Sequence, residues 1–568
     1  MERHLRTQRR SLLITIAFLA GIHPAQAQLT RHIVEFTDKK TTSFSIASPM
    51  AYLSGKAIER RNRFRIPIDS TDLPVCKTYI DSILSVRNVT VLNSSKWLNQ
   101  VAIQTTDPKA LLKIKSFPFV KNVAAIASRS TQITEPSDKF NEALMEVPNG
   151  MVAAQGIEQN FFNYGNSFGQ VHIHEGEILH DKGFRGQGMT IAILDAGYLS
   201  YLTNPAFDSL RRNNQILGTW DFVKNEAAVN EDDQHGANCF AIIAANLPGV
   251  MVGTAPKASY YLFRTEDAAT EYPVEEHFWA AGAERADSLG ADMISSSLGY
   301  TTYDAPSLSH SYAKMDGNTT MVTRAADMAA RKGMIVTNSA GNSGTSSWKY
   351  IGAPADGDSV FSIGAVDVNG VLASFSSFGP TADGRIKPDV ASVGLRTFTI
   401  LPNGAPAQGN GTSYSNPNMA GLIACLWQAF PEFSNMEVLD AVKRSSSLYT
   451  TPDNRIGHGI PNMDKAYEYL YNIRQVRNAN RILQDDHIKC FPSPFTDRFT
   501  IIYKAAEAGK PTFEMIDMAG RIIRTINRTA AADEILFMDI DGLGNLQGGA
   551  YFIRYRDGER KGTIRLLK

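Results

Sequence analysis

Met189-Thr-Ile-Ala-Ile-Leu-Asp195-Ala-Gly197 is an apolar run that ends on a carboxylate, a small residue and a glycine. Further runs of this kind follow: Ser259 to Phe263, Ala291 to Ser295, Met334 to Asn338 and Val360 to Val366. Each is short, continuous rather than alternating, and separated from the next by a longer helix-like stretch. A strand that is apolar on both sides is covered on both sides, so the runs predict a mostly parallel sheet between layers of helices, an α/β fold. Ligands and reacting groups of such sheets gather where the strands end, which singles out Asp195. Alone it means little, because a strand-end aspartate is more often a helix cap or turn former.

Two later segments supply company. Asp233-Gln-His235-Gly236-Ala-Asn-Cys239 leads into the helix-like Phe240 to Ala245, and Gly236 lets other backbone approach the imidazole closely. Gly411-Thr412-Ser413-Tyr414-Ser415-Asn416-Pro417-Asn418-Met419-Ala420-Gly421 precedes the apolar Leu422 to Trp427. A proline is tolerated in the first turn of a helix, which places Ser413 at or just before the helix N-terminus, near its positive dipole end. Ser339-Ala340-Gly341-Asn342 follows the run Met334 to Asn338. A Thr-Ser pair before a helix, or an asparagine beside glycine, is ordinary cap and turn chemistry when met singly. The joint order Asp, His, Ser is not ordinary.

The set Asp-x-Gly, His-Gly, Gly-Thr-Ser-x-Ser-x-Pro and Ala-Gly-Asn resembles the subtilisin-like serine proteases. So do Val252-Gly-Thr-Ala-Pro256, Ser297-Leu298-Gly299 and Phe375-Ser-Ser-Phe-Gly-Pro380 through Asp389. The resemblance implies a three-layer fold with a mostly parallel central sheet and a serine endopeptidase that forms an acyl-enzyme on Ser413. It makes His235 the general base and later acid, and Asp195 the group that orients and stabilises the imidazole. Asn342 and the Ser413 backbone N–H would donate to the oxyanion. Ser297, Leu298 and Gly299, with Gly341 opposite, would hold the substrate backbone. Departures from the pattern are Ala196, Ala237-Asn238, Tyr414, Asn416 and Asn418; none alters a triad atom. Cys239 would lie one turn beneath His235.

A chain of 568 residues is too long for one core. Residues 1–27 begin with four arginines, continue through a short apolar centre and end in Ala25-Gln-Ala27, the pattern of a signal peptide. Residues 28–135 mix strand-like and helix-like stretches as a small α+β domain and resemble a propeptide, with the polar Ser128 to Ser137 as a linker. Residues 150–473 form the catalytic domain. After a charged connection from Arg474 to Lys489, residues 488–568 read as a β-sandwich of six or seven short strands. That segment resembles the C-terminal sorting domain of the type IX secretion system. The expected partners are therefore polypeptide substrates, the chain's own propeptide and the secretion machinery, with export through the periplasm to the cell surface or medium.

Fifty-seven basic residues balance 57 acidic ones, so charge announces no nucleic-acid or membrane partner. Four scattered cysteines make no CxxC pair, which signals neither a zinc site nor a redox pair. No cofactor is required by this chemistry and no metal ligand set is evident. Calcium has only Glu231-Asp232-Asp233 as a weak candidate. The protein is expected to be a monomer. A catalytically silent binding protein on the same scaffold is the competing class, distinguished by loss of a triad or oxyanion residue.

Overall fold

The computed structural model describes residues 29–128, 138–140, 144–147 and 160–568. The signal-peptide stretch and nearly all of the polar linker lie outside the described residues. The chain divides into two compact units, Met1–Ala466 and Tyr467–Lys568.

Seven parallel strands form the central sheet of the first unit, in the order Val390–Val393, Val360–Val366, Ile335–Ser339, Met293–Ser296, Thr190–Asp195, Ser259–Arg264, Ile216–Asp221. The five apolar runs are all strands here, each within two residues of its expected limits. The sheet also has two edge strands that the sequence reading passed over. Ile216–Asp221 is half exposed and carries Gly218, and Val390–Val393 is only four residues long, so neither shows a long apolar run. The strand order reverses direction around Thr190–Asp195, which opens a crevice at its carboxyl end. The helices His235–Ala244 and Thr412–Ala429 pack together on one side, and Val274–Leu289 and Met321–Arg331 pack together on the other. The helix Thr412–Ala429 is buried on almost every side: its second half, Met419 to Trp427, is apolar all round, and its first half buries polar side chains.

Residues 29–128 form an antiparallel sheet in the order Thr90–Ser95, Gln100–Gln104, Leu29–Phe36, Val120–Ser128. The period of two sorts its side chains. Val34, Val101 and Ile103 face the sheet's own helices Lys77–Leu84 and Pro108–Lys115, through Tyr79, Ile83 and Ile114. Ile33, Ala102 and Ile126 face the other way and share a core with Phe278 and Trp279 of the helix Val274–Leu289. Charge ties the same surfaces together. Asp287 accepts from Arg60 at 2.6 Å and Arg61 at 2.8 Å, Arg61 also reaches Asp72 at 2.6 Å, and Lys332 reaches Asp72 at 2.9 Å, all buried. Glu284 accepts the backbone N–H of Lys96 at 2.7 Å and of Trp97 at 3.0 Å.

Asp287→Ala would remove the carboxylate that Arg60 pairs with among the described residues and one of the two that Arg61 pairs with. Removing one partner of a buried ion pair costs about 3–5 kcal/mol. Urea denaturation of the uncut full chain, kept whole by Ser413→Ala, should show that loss. A change below about 1 kcal/mol would mean that the network behaves as a solvated surface pair.

The second unit holds two antiparallel sheets. One has the order Ile488–Phe491, Phe499–Lys504, Ile535–Ile540, and the other Ile522–Asn527, Thr512–Ile516, Ala550–Asp557, Arg560–Leu567. Along Ala550–Asp557 the buried Tyr551, Ile553 and Tyr555 alternate with more exposed neighbours, and they meet Phe499, Ile501, Phe513 and Met515 in one core. This is the expected β-sandwich. The charged connection is helical over its first part: Met463–Leu483 is one helix. Ala479 and Leu483, one turn apart, bury against Ile502, so the charged stretch is anchored by a narrow apolar stripe.

Candidate active site

Asp195 is the last residue of its strand and is wholly buried. Its Oδ1 accepts the Ala196 N–H at 2.8 Å and pairs with His235 Nδ1 at 2.6 Å. A carboxylate beside Nδ1 keeps the proton on that nitrogen and gives Nε2 the lone pair. His235 is the first residue of its helix, and Asp233 Oδ1 accepts its backbone N–H at 2.7 Å. Gly236 makes the approach possible: a Cβ there would sit 2.4 Å from the Gly197 carbonyl oxygen and 2.8 Å from Asp195 Cβ. Any side chain would push the histidine helix off the aspartate strand.

Ser413 is the second residue of Thr412–Ala429. Pro417 sits deeper in that helix than the first turn, where it was expected. Having no N–H, it cannot pair with the carbonyl four residues back, which belongs to Ser413. That carbonyl accepts instead from Ser297 Oγ at 2.8 Å and from Cys239 Sγ at 3.3 Å. The proline therefore frees an acceptor that docks the serine turn onto the histidine helix and onto Ser297. The neighbouring Tyr414 ring lies 6.5 Å from the His235 ring.

Thr412 fixes the next group. Its backbone N–H and its hydroxyl donate to Asn342 Oδ1 at 2.8 and 2.9 Å, and its Oγ1 accepts the Gly341 N–H at 3.0 Å. A backbone N–H only donates, so the Asn342 amide is oriented with its oxygen on Thr412 and its Nδ2 on the other branch. Ser297, Leu298, Gly299, Gly341, Asn342 and Ser413 line one cleft of about 580 Å³. The structure thus brings all eight expected residues to the same end of the sheet.

Two residues noted in the sequence only as departures have visible work. Asn416 Nδ2 donates to Ser295 Oγ and to the Ser296 carbonyl, each at 3.1 Å, and so pins the strand end that leads into Ser297. Asn418 Nδ2 donates to the Gln170 carbonyl at 2.7 Å. Cys239 lies one turn beyond His235, and all four cysteines are free thiols. Of the weak calcium candidates, Asp232 pairs with Lys224 at 2.7 Å and Asp233 accepts the His235 N–H. Sequence reasoning missed the group Glu266, Glu271 and Glu275, whose oxygens lie within 4.8 Å of one another where the loop after Ser259–Arg264 enters the helix Val274–Leu289. Nor did the sequence show which residues ahead of the peptidase lie against it. The Phe140 ring lies 4.6 Å from the His235 ring, and Met145–Glu146 adds an antiparallel strand to Pro406–Gly409.

Comparison with known proteins accounts for the parts. Residues 186–459 match the peptidase S8 model, described as the subtilase family; residues 31–142 match the peptidase S8 propeptide domain of Bacteroidota; residues 489–568 match a secretion system C-terminal sorting domain. Subtilisin from Bacillus pumilus is 30% identical over 293 residues, 51% of this chain and 94% of its own length. Subtilisin NAT from Bacillus subtilis subsp. natto is 28% identical over 389 residues, 68% of this chain and 84% of its own. The MycP3 protease of the type VII (ESX-3) secretion system, a solved structure, has a TM-score of 0.43 at 20% identity, covering 53% of this chain and 87% of that one. The class defined is that of serine endopeptidases. Within it, the chain belongs to the subtilase family, with a propeptide domain ahead of the peptidase and a type IX sorting domain behind it. The sorting domain marks it as a secreted or cell-surface protein.

Proposed function

We propose that the chain is a secreted endopeptidase that cuts polypeptides through an acyl-enzyme on Ser413, with His235 as base and Asp195 as its orienting partner. The observation that carries this is the buried 2.6 Å Asp195–His235 contact beside a helix N-terminus bearing Ser413. His235 Nε2 takes the Ser413 hydroxyl proton as Oγ attacks the substrate carbonyl. The imidazolium, steadied by the Asp195 charge, gives that proton to the leaving amine. Water then repeats the sequence and releases the acid. The oxyanion forms beside the Asn342 amide and the Ser413 N–H, one of the early helix N–H groups without an intrahelical partner. Ser297, Leu298, Gly299 and Gly341 line the cleft where an extended backbone would lie. The enzyme acts as a monomer and needs no metal ion for the chemistry. Residues 28–135 serve as its propeptide, 150–473 as the peptidase and 488–568 as the export domain.

A fluorophosphonate probe tests the nucleophile. Labelling of the matured secreted chain should map to Ser413 and vanish in Ser413→Ala. Folded, processed protein that stays unlabelled would favour the silent binding scaffold.

A further inference from the structure

Glu266, Glu271 and Glu275 surround the ammonium of Lys139, each with a carboxylate oxygen 2.7 Å from Nζ. Glu266 and Glu271 line the same cleft as Ser413 and Asn342. The side chains of Glu266, Glu275 and Lys139 are 1%, 0% and 11% exposed. Most of the pocket is held without the lysine. The Tyr300 hydroxyl donates to Glu266, and the backbone N–H groups of Asp267 and Tyr272 donate to the two oxygens of Glu275, at 2.9 Å each. Asp304 accepts the Glu271 N–H at 3.0 Å. The charges do not balance, since one ammonium faces three enclosed carboxylates. Burial pushes Glu271 up to about 7 and Glu275 well above the usual carboxylate range, in spite of the nearby lysine.

The occupant does not belong to the peptidase. Lys139 lies in the stretch matched as propeptide, whereas the three glutamates lie in the stretch matched as subtilase. The residue after it, Phe140, covers the His235 ring. The chain therefore runs from the acidic pocket towards the imidazole in the N-to-C direction. When this segment leaves, two buried carboxylates and the half-buried Glu271 lose their cation, which is costly unless another replaces it.

We propose that Glu266, Glu271 and Glu275 form a pocket for a lysine or arginine side chain of the substrate, on the N-terminal side of the bond to be cut, and that Lys139 fills it in the precursor. This rests on Ser413 and His235 being the reacting pair. An apolar or acidic side chain in the same place would leave the carboxylates uncompensated. A divalent cation is the competing occupant, because the three carboxylates offer it a ligand set.

The test uses the full chain matured by its own processing and a series of fluorogenic peptides that differ only by Lys, Leu or Glu at successive positions, assayed with and without added calcium. At one position on the N-terminal side, Lys should exceed Leu by about 100-fold in kcat/KM, with Glu the poorest. Glu271→Gln should lower the Lys-to-Leu ratio about tenfold; a ratio within one preparation is independent of how much enzyme matures. Should that variant not mature, the wild-type series decides by itself. Equal cleavage of the Lys and Leu peptides under both conditions overturns the pocket. No cleavage of any peptide under either condition overturns the protease reading instead.

Discussion

Replacing Ser413 by alanine is expected to lower peptide-bond hydrolysis by about a millionfold, the scale known for subtilisin itself. It should also leave the chain at its precursor length. The Oγ is the only atom removed, and the contacts that hold the turn run through the Ser413 carbonyl, to Ser297 at 2.8 Å and Cys239 at 3.3 Å, so the fold should survive. Casein turnover and the mass of the secreted product check both halves. A Ser413→Ala chain that still matures in a strain lacking other proteases would move the nucleophile elsewhere.

Asp195→Ala is expected to lower kcat by about 10⁴-fold with little change in KM, again on the scale of subtilisin. Two things are lost together. The imidazole no longer has the 2.6 Å partner that keeps its proton on Nδ1, and the imidazolium no longer has a buried counter-charge. Because serine, histidine and aspartate act as one unit, the double variant with Ser413→Ala should be no worse than Ser413→Ala alone. A loss smaller than tenfold, in protein whose melting is unchanged, would show that the aspartate is only a structural partner of the helix.

Much of this site is legible in the linear chain because its parts are local. A strand end, a His-Gly step and a Gly-Thr-Ser step each announce a backbone event, and their order does the rest. The continuous strands declare themselves for the same reason, since burial on both faces leaves short runs without the polar alternation of a half-exposed strand. What stays hidden depends on partners far away in sequence. Ile216–Asp221 is an edge strand with one face half open, so its pattern is diluted. Pro417 reads as a first-turn residue, and only the tertiary structure shows the Ser413 carbonyl finding donors on two other elements. Glu266, Glu271 and Glu275 draw no notice in the chain, because the Lys139 that meets them comes from about 130 residues away, a separation no local pattern encodes.

The N-terminal sheet carries a consequence for the life of the precursor. One of its faces, with Ile33, Ala102 and Ile126, has no cover of its own and is completed by Phe278 and Trp279 of the peptidase. Arg60 and Arg61 likewise find Asp287 only there. Once severed and released, this domain would display half a core and an Arg60 guanidinium parted from Asp287 to water, with Arg61 keeping only Asp72, and so would unfold and be digested. Peptidase activation would then work as a ratchet: the inhibitor is spent by the act of leaving, and no reservoir of free inhibitor persists to silence the enzyme again.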